Sequence, residues 1–224
     1  LISFVGIVLY RNLDSYAVLI SILIFPILSL IFLILVYFTF KKTHAIEISF
    51  FAMFVYCISF ESLRLIFPIY NFSNIRLETI ANLSRLVYFF RLAGIMSIFM
   101  AGIFANKIIT RKISSVFFFL FFISFLICLS MPINNFHISR YFLSDIKAGH
   151  SYIYLFLIAA LLACVNYFFV YITKNIKEYL FAALSLTGAL IGYFVLLYTS
   201  SYTLLCTGLT FFILGNLSLY ENYL

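Results

Sequence analysis

A glutamate and an arginine stand three residues apart in "SFESLRLIF", residues 59–67, inside a run otherwise fit for hydrocarbon. A charge at the centre of a bilayer costs about 2.5–3.5 kcal/mol on insertion scales, so Glu61 and Arg64 must be paired, functional or both. Three residues apart on a helix, they lie within about 60° of each other and can form an ion pair. The next apolar run carries Ser84, Tyr88 and Arg91 at spacings of four and three, which is one stripe on a helix. If the two runs are consecutive antiparallel helices, Arg91 descends to the depth of Glu61 and can bridge to it. Two guanidiniums against one carboxylate leave a surplus positive charge, and the forked donors of arginine match the paired oxygens of a carboxylate or phosphate. Glu61, Arg64, Tyr88, Arg85 and Arg91 are therefore candidate ligand residues for an anionic group. Arg76, Arg140, His137, Lys147 and His150 extend the positive field on the same side. The competing reading is structural: the pair ties two helices together and holds nothing else.

The elements that position these residues follow from composition. Of 224 residues, 66% are hydrophobic and 9% charged, where soluble domains carry about 25% charged residues. This is the composition of an integral membrane protein. Segments at about 16–40, 46–68, 84–106, 113–133, 151–173, 178–198 and 201–219 have spanning length. None alternates with period two, and continuous apolar runs of this length must be helices because the backbone has to satisfy itself in lipid. The expected fold is all-α, a polytopic bundle of seven helices with short loops and no soluble domain, treated as one domain over 1–224. Residues 1–10, "LISFVGIVLY", supply half a span and read as the end of a truncated helix.

Orientation rests on the loops. Lys41, Lys42, Lys107, Arg111, Lys112, Lys174 and Lys177 all fall in three tight connections, "KKTHA", "NKIITRK" and "TKNIKE". The positive-inside rule assigns these to the cytoplasm. The loops at 69–83 and 134–150 are then outside, as is the start of the chain, and the C-terminus is cytoplasmic; a bacterial inner membrane is the expected location. The net charge of +7 is distributed as topology signals and contacts to lipid headgroups, not as a nucleic-acid surface.

Packing signals are fewer. Gly188 and Gly192 in "TGALIG" have the small-xxx-small spacing of a close helix contact. Thr203, Thr207 and Thr210 form a polar stripe that reads as helix packing or bonding back to its own helix, Asn166 reads as an interhelical hydrogen bond, and Pro26 is a candidate kink. Cys57, Cys128, Cys164 and Cys206 lie in four different apolar runs, with no CxxC, and are expected to be buried thiols. Hydrolase, metalloprotease, P-loop and dinucleotide motifs are missing from the sequence, so no cofactor or metal is expected and an enzyme is the least favoured class. A seven-helix sensory or signal-input module with an outer pocket for an anionic ligand leads, receptor-like by helix count. The alternatives are a transporter or channel subunit for a small anionic solute, and a structural or lipid-handling assembly subunit. The expected partners are the bilayer, an anionic small molecule or lipid headgroup, and a cytoplasmic signalling protein or a second copy of the chain.

Overall fold

The computed structural model describes residues 14–43, 46–66, 77–105, 113–139, 141–146 and 151–222. Seven α-helices run through them in order: α1 (Asp14–Thr43), α2 (Ile46–Ser59, prolonged by a 3-10 segment, Phe60–Leu65), α3 (Leu77–Ala105), α4 (Ile113–Ser130), α5 (Ser151–Lys174), α6 (Lys177–Leu197) and α7 (Tyr202–Asn222). Six are long and apolar enough to cross a membrane, and α4 is a shorter apolar helix. The fold is an all-α membrane bundle, as the hydropathy dictates.

Where the elements depart from expectation, local chemistry explains it. The third helix begins at Leu77, two turns before the expected start, because the polar residues interspersed in "LETIANL" interrupt its hydropathy without breaking a helix, and Glu78 in its first turn complements the helix dipole. The fourth stops at Ser130 instead of near 133: Pro132 has no N–H and disfavours helix at the residue before it. The 134–150 connection is not wholly irregular. Strands β1 (Ile133–Ile138) and β2 (Ser144–Ile146) form an antiparallel hairpin, with Ile133 opposite Ile146 and Ile138 opposite Ser144. Its turn is closed by Phe142 N–H donating to Ser139 O (3.1 Å) and Ser139 N–H to Leu143 O (2.8 Å), and Phe142 has φ 56°, a left-handed position. Pro26 lies inside α1, which is helical on both sides of it.

α3 is the central helix: 61% of its spanning window is buried, against 33% for α1, α5 and α7. It packs on α2, α4 and α5, while α6 and α7 form the closest helix pair. That closeness comes from glycine. A Cβ on Gly192 would lie 2.3 Å from the Phe212 backbone nitrogen, and one on Gly215 would lie 2.4 Å from that of Ala189. Gly188, by contrast, has only Gly215 Cα at 4.0 Å and is not the tight point. Asn166 donates from Nδ2 to Phe99 O (3.1 Å), joining α5 to α3. The threonine stripe does not pack: Thr203, Thr207 and Thr210 are all exposed on α7, and the Thr207 and Thr210 hydroxyls donate to carbonyls three residues back, at 3.1 and 2.8 Å. Such back-bonding lets a threonine face lipid without an unsatisfied hydroxyl. All four cysteines are free, and Cys206 is exposed rather than buried.

The two ends of the bundle differ. At one, the Lys174 ammonium donates to Ala105 O, the last carbonyl of α3, and to the Tyr179 hydroxyl (3.3 Å). The other end carries the hairpin, with Tyr141 set edge-on against Tyr198 (5.5 Å) beside the α6–α7 turn. The 1–10 segment, and with it Arg76, Lys107, Arg111, Lys112, Arg140, Lys147 and His150, lies outside the described residues.

Candidate functional site

Glu61 and Arg64 lie on the 3-10 segment that prolongs α2. In a 3-10 helix residues i and i+3 eclipse, so the two side chains stand directly one above the other instead of 60° apart. Serine encourages this winding: the Ser59 and Ser62 hydroxyls donate to Tyr56 O (2.7 Å) and Ser59 O (2.8 Å), competing for carbonyls of the preceding turn. Phe60 stacks flat on Phe90 of α3, ring centroids 3.6 Å apart, which fixes the segment against the central helix.

Glu61 is 2% exposed, Arg64 0% and Arg91 5%, so three charges are withdrawn from solvent together. Both carboxylate oxygens are used twice. Oε1 accepts from Arg91 Nε (2.6 Å) and the Tyr193 hydroxyl (3.2 Å); Oε2 accepts from Arg91 Nη2 (2.7 Å) and Arg64 Nη1 (3.2 Å). The interhelical partner therefore holds the carboxylate through a two-pronged grip, and the intrahelical partner through one longer bond. Fork-to-carboxylate pairing of this kind is the strongest charge-assisted geometry available to arginine.

Arg64 turns its remaining donors to the hairpin. Its Nε and Nη2 both donate to Tyr141 O, at 2.9 and 2.5 Å, across 77 residues of sequence. The stripe on α3 fastens the same hairpin: the Ser144 amide donates to Ser84 Oγ (3.0 Å), and the Tyr88 hydroxyl donates to Ser144 O (3.2 Å). Tyr152 of α5 closes the ring of contacts by donating to Tyr88 O (2.8 Å). One carboxylate faces two guanidiniums, and the second guanidinium gives it one longer bond and turns its other donors to a carbonyl dipole. Among the described side chains the cluster keeps one net positive charge.

That charge borders a cavity of about 380 Å³ lined by Arg91, Tyr88, Tyr152, Tyr198, Tyr141 and Ser139, with Leu143, Leu197 and two isoleucines completing the wall. Arg91 Nη1 has no hydrogen-bond partner among the described residues, and the guanidinium carbon lies 5.5 Å from the Tyr88 ring centre. Arg64 is behind this wall and does not line the cavity. Beneath the cluster, the core is closed by rings around Tyr193: Phe25 at 5.6 Å, Phe54 at 5.9 Å, Phe156 at 6.3 Å and Phe212 at 6.5 Å.

Of the residues singled out in the sequence, Glu61, Arg64, Tyr88 and Arg91 come together. Arg85 does not join them; it lies one residue beyond Ser84 and is carried round the helix into a separate groove against α4. Tyr193, Tyr141 and Ser144 are members that the sequence does not announce. Tyr193 is one of 17 tyrosines, and Tyr141 contributes a backbone carbonyl, which no side-chain pattern reveals.

No protein-family model matches the chain. A stretch of 101 residues, 45% of this chain, is 37% identical to an uncharacterized protein of Treponema pallidum (strain Nichols), and covers 29% of that relative's length.

Proposed function

We propose that the protein is a membrane signal-input module whose cavity at the hairpin end holds a small ligand through an anionic group. The observation that carries this reading is the net charge of the cluster behind the cavity wall: among the described side chains two guanidiniums share one carboxylate that four donors saturate, and Arg91, which lines a space of about 380 Å³, keeps Nη1 unused. An anion there would be favoured because a buried charge without its counter-charge is expensive. Arg91 Nη1 is the group that would receive it. The aromatic packing around Tyr193, directly beneath the cluster, favours holding a ligand over conducting one. By the positive-inside rule the loop charges favour the hairpin end as the outer one; the ligand would then arrive from outside and the basic inner loops would meet a cytoplasmic partner.

The test is a thermal-shift panel of small carboxylates and phosphates on the purified protein, followed by flux measurements in proteoliposomes. At least one anion should raise the midpoint saturably, by an amount that follows mass action, and the shift should vanish in the Glu61→Gln/Arg91→Gln double variant. Binding without flux is the expected combination. A panel with no stabilising anion, or a shift retained in the double variant, overturns the pocket; flux of the bound anion replaces the sensor by a transporter.

A further inference from the structure

Arg85 occupies a different environment from the other four site residues. It lies on α3 facing α4, in a groove of about 260 Å³ formed with Asn82, Leu86, Phe89, Phe125 and Leu129. The groove has an apolar floor and opens toward the surface that faces lipid, because Leu86, Phe125 and Leu129 are 41%, 49% and 52% exposed. Its polar end is Arg85. The Nε of Arg85 is shut away from solvent and has no hydrogen-bond partner among the described residues, where Nη1 reaches only Asn82 Oδ1, at 3.4 Å. A guanidinium with a buried, unused donor is an incomplete arrangement, because such a group costs free energy until it meets an acceptor.

The level of the groove identifies the acceptor. α4 has 18 residues, about 27 Å of helix, a little short of the roughly 30 Å hydrocarbon thickness, and its last residues lead directly into the hairpin, so this end lies near the interface on the hairpin side. Leu129 is next to its last residue. Arg85 beside Leu129 is thus at headgroup depth, with Phe125 about one turn deeper along the same wall.

We infer that the α3–α4 groove is a binding site for one anionic phospholipid of the leaflet on the hairpin side, the phosphate on Arg85 and Asn82 and an acyl chain along Leu86, Phe89 and Phe125. Arginine serves this role because its planar fork matches phosphate oxygens: the Nη donors are accessible as the side chain stands, and a turn toward the groove brings Nε beside them. The site is separate from the Glu61 cluster, and its occupancy is independent of the ligand proposed for the cavity.

Native mass spectrometry of the full chain tests it, with phosphatidylglycerol and phosphatidylcholine added at equal concentration from mixed micelles. One phosphatidylglycerol should be retained in preference to phosphatidylcholine, and Arg85→Gln should weaken that retention about fivefold, the worth of one interfacial arginine on an anionic headgroup. Leu129→Trp, which fills the groove and leaves Arg85 in place, should do the same. Soluble glycerol phosphate should not displace the lipid. Retention unchanged in either variant, equal retention of the two lipids, or displacement by glycerol phosphate overturns the proposal. Neither substitution touches the Glu61 cluster, so a retained anion-induced thermal shift in Arg85→Gln separates failure here from failure of the cavity reading.

Discussion

Replacing Glu61 by glutamine should be the most damaging single substitution in the charged cluster, and the geometry says by how much. The carboxylate accepts four hydrogen bonds, three of them from cations. Its neutralisation leaves Arg64 and Arg91, at 0% and 5% exposure, facing each other without a counter-charge. Removing one partner of a buried ion pair costs about 3–5 kcal/mol, and that range is the expectation for Glu61→Gln. Arg91→Gln should cost less, because it leaves a neutral Glu61–Arg64 pair. The double variant Glu61→Gln/Arg91→Gln should recover part of the loss, since the remaining charge is that of the native cluster. Two double-mutant cycles apportion the coupling. Glu61 with Arg91 should give about 2–3 kcal/mol, from two short charge-assisted bonds, and Glu61 with Arg64 about 1 kcal/mol, from a single bond at 3.2 Å. The assay is reversible unfolding in mixed micelles, with detergent midpoints as a check. A stronger coupling to Arg64 than to Arg91, Arg91→Gln worse than Glu61→Gln, or both couplings below about 0.5 kcal/mol would refute the assignment of Arg91 as the principal partner.

Two further outcomes can be checked together. Gly192→Ala and Gly215→Ala should each lower stability by about 1–3 kcal/mol, since the added carbon meets backbone that cannot swing aside, while Gly188→Ala should be neutral; thermal midpoints in detergent decide, and equal effects at all three would mean α6 and α7 do not cross there. In a chain lacking the native thiols, a cysteine at Asn135 should react with an impermeant maleimide in intact cells and one at Thr43 should not; the reverse pattern would invert the topology read from the loop charges.

Much of this protein is written locally. A chain that must satisfy its own backbone in lipid has to be helical wherever it is continuously apolar, so the spans are legible from hydropathy alone. Any strongly polar group in such a run must find a partner, which is why Glu61, Arg64, Arg91 and Asn166 stand out by residue type and position. Spacing also puts Ser84, Tyr88 and Arg91 on one face, where they meet the hairpin and Glu61. What spacing cannot decide is which way each helix turns. Lipid tails and a protein interior are equally apolar, so a membrane helix carries little hydrophobic asymmetry to declare its buried side. Thr203, Thr207 and Thr210 therefore read equally as packing or back-bonding residues, and only the structure turns them outward, while Arg85 reads as a neighbour of Arg91 yet faces α4. The tight point of α6 and α7 is shared between Gly192 and Gly215, which are far apart in sequence and meet only when the helices cross. Above all, Glu61 is completed by Tyr193, and Arg64 by a carbonyl of the hairpin 77 residues away. Those contacts arise from the packing of α6 and the hairpin onto α2 and α3, and a contact between surfaces exists only once both have been folded into place.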